Sequence, residues 1–166
     1  VPERNEPDAT LLARSIIVSR TMDAPRELVF EAWTSPGHLA QWWGPTGFTT
    51  TTHAFDMRRG GVWRFVMHGP DGRDYQNHVT FDEIVRPERI VYHHDDPQSP
   101  GRVHHRTTVT FEQVGSGTHL TLNMVFPTVD ERERIAREHR AEEGGVQTLG
   151  RLADYTARMP TVQPKH

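Results

Sequence analysis

The stretch that most constrains this chain is Thr128 to Met159, the only run long enough for a substantial helix. Thr128 with Glu131 three residues on spells a capping box, which ties up orphan amide donors at a helix start. Asp130 to Glu143 is nearly all charge, with Glu133 and Arg137 spaced to meet on a solvated face. Val146, Leu149, Leu152, Ala153, Tyr155 and Met159 then form an apolar stripe at spacings of three and four. Almost everything before this stretch reads as strand. A sheet must cover one face, and this is the only large cover the chain offers. The expectation is a curved antiparallel sheet around the helix, with a hollow between them.

The strands are delimited by their turns. Leu12 to Met22 alternates as a strand, and Asp23-Ala24-Pro25 opens a short helix with proline where its missing amide costs nothing. Ser35-Pro36 starts a second short helix, which Gly44-Pro45 ends. Six strands follow: Phe48 to Met57, Val62 to His68, Arg73 to Arg86, Arg89 to Asp95, Arg102 to Val114 and Thr118 to Phe126. Most of their connections are hairpin-length turns, so the sheet is antiparallel; a polar loop is expected at Asp96 to Gly101. The chain divides into an arm over 1–11, one α+β domain over 12–159 and a tail over 160–166, and Gly144-Gly145 offers a place for the long helix to kink.

Composition excludes several classes. The 166 residues suit one domain, and with no cysteine there is no disulfide, thiolate catalysis or Cys-based zinc site. A net charge of −3, with Arg and Lys scattered among acids, gives no nucleic-acid footprint. No apolar run approaches the ~20 residues of a membrane span, and no signal peptide is visible, so a cytoplasmic location is the default. The sequence starts at Val1 rather than methionine, so a trimmed start could hide a leader.

Alternation along each strand sorts residues into faces. Trp63, Phe65 and Met67 share one, as do Leu120, Leu122, Met124 and Phe126. Phe55 and Met57 bring His53 with them, while Ile90 and Tyr92 bring His94. The strand at 73–86 contributes Tyr75, Asn77, Val79 and Phe81; that at 102–114 contributes Val103, His105, Thr107, Val109 and Phe111. The inner face is thus apolar with a few polar groups: His53, Tyr75, Asn77, His94, His105 and Thr107. Such a mixture suits a small-molecule site, although polar groups near strand ends also bind water or backbone.

Several segments resemble a known family. They are Ala24-Pro25-Arg26-Glu27-Leu28-Val29-Phe30-Glu31-Ala32-Trp33-Thr34, Gln41-Trp42-Trp43-Gly44-Pro45, Phe55-Asp56-Met57-Arg58, Gly60-Gly61, Trp63-Arg64-Phe65, Gly69-Pro70-Asp71-Gly72, Pro87-Glu88-Arg89-Ile90-Val91, and Leu149 with Leu152-Ala153. The chain is similar, from about Leu12 to Met159, to the bacterial branch related to the activator of the heat-shock-90 chaperone's ATPase, within the START / Bet v 1-like (SRPBCC) superfamily. The resemblance implies a helix-grip fold: a seven-stranded curved antiparallel sheet around a long C-terminal helix, with two short helices after strand 1. It also implies binding of lipids, polyketides and other hydrophobic molecules, and in related branches cyclase or aromatase activity. Two positions depart from the pattern: His78 stands where relatives often have glycine, and Gly145 where many carry tryptophan. Loss of that ring would enlarge the pocket unless a neighbour fills the space.

Three functions follow. The first needs only the pocket: binding of a hydrophobic or aromatic, lipid- or polyketide-like molecule. Trp33, Trp43, Trp63, Phe65, Phe111, Leu149 and Leu152 would form walls, and Tyr75, Asn77, His94 and His105 would orient the ligand. The second is a cyclase- or dehydratase-like enzyme with Tyr75, His94 or His105 as acid or base. The third is a co-chaperone, with Trp42, Trp43 and Pro45 as a partner patch; a chaperone partner is not expected. The eleven histidines show no metal-binding spacing, so neither metal nor other cofactor is expected. An exposed strand edge or the short helix pair leaves a homodimer open.

Overall fold

The computed structural model describes residues 10–96 and 99–159. Its elements are β1 (Ser15–Met22), α1 (Arg26–Glu31), α2 (Pro36–Trp42), β2 (Thr49–Phe55), β3 (Val62–His68), β4 (Asp74–Val85), β5 (Arg89–Asp96), β6 (Ser99–Val114), β7 (Gly117–Val125), α3 (Val129–His139) and α4 (Ala141–Arg158). The seven strands form one antiparallel sheet in the order β1-β7-β6-β5-β4-β3-β2. Strands β2 to β7 pair in chain order because short turns leave no alternative, and the sheet's other edge forms when β1 pairs back onto β7, Ile16 opposite Met124. The tight β2–β3 turn depends on Gly60, at φ +81°, and on Gly61, where a Cβ would overlap the Asp56 carbonyl. This is the helix-grip architecture, with α4 lying across the concave face.

Of the arm expected over 1–11, residues 1–9 lie outside the described residues and 10–11 form an exposed turn; the tail expected over 160–166 lies outside the described residues. The polar loop expected at Asp96 to Gly101 is shorter. Strand β5 runs through Asp96 and β6 begins at Ser99, while residues 97–98 lie outside the described set.

The C-terminal helix is two helices. Thr128 caps the first as expected, its hydroxyl accepting from the Glu131 amide at 3.0 Å. The interruption falls at Arg140, which adopts a left-handed conformation (φ 48°), and not at Gly144-Gly145, which lie inside α4. The reason is packing. Helix α3 buries only Ile135, whereas α4 must lay Leu149 and Leu152 on the sheet. One residue outside right-handed space turns the chain between those demands, at a cost of roughly 1–2 kcal/mol. Val146 also departs from the expected stripe: it is 53% exposed, and Thr156 takes a buried place instead.

The aromatic core sits between the sheet, α1 and α2. Trp42 is fully buried and donates its indole N–H to the Ala32 carbonyl at 3.0 Å. It therefore cannot form the surface patch with Trp43 and Pro45 that a docking role would use. Trp63 stacks on Phe65 with centroids 3.9 Å apart and donates to the Thr52 hydroxyl at 3.1 Å.

Candidate functional site

A cavity of about 150 Å³ lies between the concave sheet face and the helical cover. Alternation places its floor. Phe65 and Met67 come from β3, Asn77 from β4, Tyr92 and His94 from β5, His105 and Thr107 from β6, and Leu122 and Met124 from β7. The roof is made by segments that no strand period describes. Trp33 follows α1, Trp43 to Pro45 follow α2, and Ala141, Gly145 and Thr148 come from the first half of α4.

Of the residues expected to bind a ligand, Trp33, Trp43, Phe65, Asn77, His94 and His105 line the cavity. Four other expected wall residues sit behind it. Trp63 backs Phe65, Phe111 packs against Phe30 (5.1 Å) and Trp33 (6.1 Å), and Leu149 and Leu152 are fully buried. Tyr75 is off the cavity altogether: it pairs with Met67 at the start of β4, its ring 6.0 Å from that of Phe48. His53 is displaced by a bulge. The β2–β3 register shifts between Thr52 and Ala54, so Thr52 and Phe55 face inward and His53 is exposed. Of the unassigned lining residues, Met67, Tyr92, Thr107, Leu122 and Met124 already belonged to the inward sets. Gly44, Pro45 and the α4 residues are where periodicity gives no signal.

A second bulge builds the polar end. The β5–β6 register passes from His94–His105 to Asp95–Val103, making His104 the extra residue. Adjacent strand residues ordinarily point apart, yet His104 and His105 here bring their Nδ1 atoms to 2.9 Å. At that separation one nitrogen carries a proton and the other accepts it. Across the strand pair the His94 and His105 rings stack, centroids 4.4 Å apart at 19°, and Phe126 lies 4.9 Å from His105 on its other side.

Burial decides the charge of this pair. Enclosure by protein, with His104, His93 and His78 nearby, drives the His94 pKa down to about 3. His105 is lowered well below its ordinary value, again chiefly by burial, then by His94 and His104. Both are neutral at neutral pH. Burial likewise raises the Tyr92 hydroxyl, against the opposing effect of its hydrogen bond with Thr107. On the outer face the histidines have acids to meet: His93 Nδ1 lies 2.9 Å from Asp82, and His78 Nδ1 3.4 Å from Asp95. Among the described residues, no group of three or more acidic or histidine side chains is placed to hold a metal ion.

The roof is tied down by Arg151 of α4. Its Nη1 lies 2.9 Å from the Gly44 carbonyl and 3.1 Å from those of Pro45 and Phe48. Gly145 brings α4 close to β1, since a Cβ there would stand 3.0 Å from Val18 Cγ2. The space an absent tryptophan would leave is thus partly taken up by Val18, while Gly145 still borders the cavity.

A family model described as Activator of Hsp90 ATPase homolog 1-like protein matches residues 23–157. Solved structures agree in fold. A protein of Arthrobacter aurescens is 24% identical over 93% of this chain and 91% of its own, with a TM-score of 0.80. One of Nitrosomonas europaea is 23% identical over 92% and 97%, with a TM-score of 0.78. One of Chromobacterium violaceum is 27% identical over 86% and 96%, with a TM-score of 0.73. No curated protein matches the chain. Among the described residues no helix is long and apolar enough to cross a membrane.

Proposed function

Because this chain belongs to the family of activator of Hsp90 ATPase homolog 1-like proteins, whose fold commonly serves hydrophobic ligands, we propose that it binds a small hydrophobic or aromatic molecule between sheet and α4. The observation that carries this is the cavity: about 150 Å³, bordered by Trp33, Trp43, Phe65, Leu122 and Met124. An apolar cavity near 150 Å³ takes up benzene, whereas sites for drug-sized ligands run to about 300–1,000 Å³. The guest that fits has a single ring. A lipid- or polyketide-like molecule would need the Gly44–Pro45 loop or α4 to move outward.

Proton chemistry is the weaker reading. A general base works best with a pKa near the operating pH, and His94 at about 3 is far below it. Tyr75, the acid considered with it, lies off the cavity. A pair of stacked neutral imidazoles is better suited to holding a guest than to taking its proton.

The test is a thermal-shift and native mass-spectrometry series running from benzene and toluene to naphthalene, a flavonoid and a long-chain fatty acid. Single-ring compounds should raise the melting temperature and appear as one-to-one adducts. The container reading fails if none does. If only the long-chain or multi-ring compounds bind, the size assignment fails.

A further inference from the structure

We infer that the guest is an uncharged ring bearing a hydroxyl group, a phenol or its close analogue, with the hydroxyl set against the His94 imidazole and the ring among Trp33, Trp43 and Phe65. This rests on the binding reading above and names the chemistry of the same site.

Charge comes first. Among the described residues no Asp, Glu, Lys or Arg side chain lines the cavity, and Arg151, a nearby cation, is committed to backbone carbonyls. A carboxylate or ammonium would lose its hydration with no counter-ion among these residues, which disfavours charged guests strongly. Polarity comes second. Two cavity residues keep a buried polar atom with no hydrogen-bond partner among the described residues: His94 Nδ1 and Trp33 Nε1. Buried polar atoms are normally paired, so an orphan on a residue that lines a cavity points to a partner the guest supplies.

The contrast with three other histidines sharpens this. His93 has Asp82 at 2.9 Å, His68 has Asp74 at 2.8 Å, and His38 has the Tyr155 hydroxyl at 2.6 Å. His94 instead has a stacked neutral ring on one face. A hydroxyl suits it because a hydroxyl both donates and accepts, whichever tautomer the imidazole takes. The indole N–H of Trp33 can only donate, so it calls for the same kind of oxygen atom. Thr107 adds little competition, because its hydroxyl is engaged with Tyr92.

The experiment compares toluene, p-cresol and p-toluate on the wild-type chain at pH 7 by calorimetry and tryptophan fluorescence. One added hydrogen bond to a buried partner should make p-cresol bind about tenfold tighter than toluene, with p-toluate weakest. In H94F, p-cresol should fall to the level of toluene while toluene still binds. A p-cresol affinity no better than that of toluene overturns the inference, as does p-toluate binding tightest or a preference that survives H94F. If H94F does not fold, the wild-type ranking still decides, and p-cresol must move the 15N shift of the His94 ring. Toluene binding without a p-cresol advantage removes only this inference; failure of both ligands removes the binding reading with it.

Discussion

Arg151 Nη1 donates to the Gly44 carbonyl at 2.9 Å, joining the second half of α4 to the loop that roofs the cavity. Burial lowers the pKa of this guanidinium, but it retains its charge, because arginine titrates far above neutrality. A charged donor shared among carbonyls of one loop is worth more than a surface ion pair. R151L should cost about 2 kcal/mol in urea unfolding. Hydrogen exchange at 44–48 should also accelerate. A loss below about 0.5 kcal/mol, or unchanged exchange, would mean that the loop is held by something else.

The glycines of α4 give a paired prediction. A Cβ at Gly150 meets nothing within 4 Å, whereas one at Gly145 comes to 3.0 Å from Val18 Cγ2. Both sites gain helix propensity on going to alanine, about 1 kcal/mol each. G150A should therefore stabilise by roughly that amount, and G145A by distinctly less or not at all, because β1 must yield. Equal gains at the two sites would show that α4 does not press on Val18.

Arg140 separates two descriptions of the C-terminal region by sign. With φ at 48°, R140G relieves a left-handed side chain and should stabilise by about 1 kcal/mol. In an unbroken helix the same change would cost about 1 kcal/mol. Urea midpoints of the two proteins decide between them.

The stacked histidines predict a pH dependence. The folded pKa of His94 is about 3, against 6.5 for the ordinary side chain. Below 6.5 the unfolded chain takes up a proton that the folded one refuses. Stability from this group is fully present above 6.5 and is lost progressively as pH falls toward 3, with a limiting slope of about 1.4 kcal/mol per pH unit. His105 is shifted in the same direction. Wild type should therefore lose more stability than H94Q between pH 7 and pH 4.5, measured in urea at each pH. Parallel curves would show that His94 is protonated without cost in the folded state.

Much of the floor of the site was legible before folding was considered. Period-two alternation put Phe65, Asn77, His94, His105 and Thr107 on one face, and β3 to β7 keep that face because their inward residues are the apolar ones. Alternation breaks where a strand gains a residue. That is why His53 left the face at one bulge and why His104 joined His105 at another.

What the sequence by itself determined was local: where chains turn, which side of a strand is apolar, and that Thr128 starts a helix, since neighbours along the chain set those preferences. Only the tertiary structure decided how elements distant in sequence meet. It closed β1 on β7 and turned the chain at Arg140 when α4 settled on the sheet. Trp63, Phe111, Leu149 and Leu152 sank behind the cavity, while Gly44, Pro45 and Gly145 came to its roof. Those outcomes depend on which side chains compete for the same volume, a quantity that exists only once the layers are packed together.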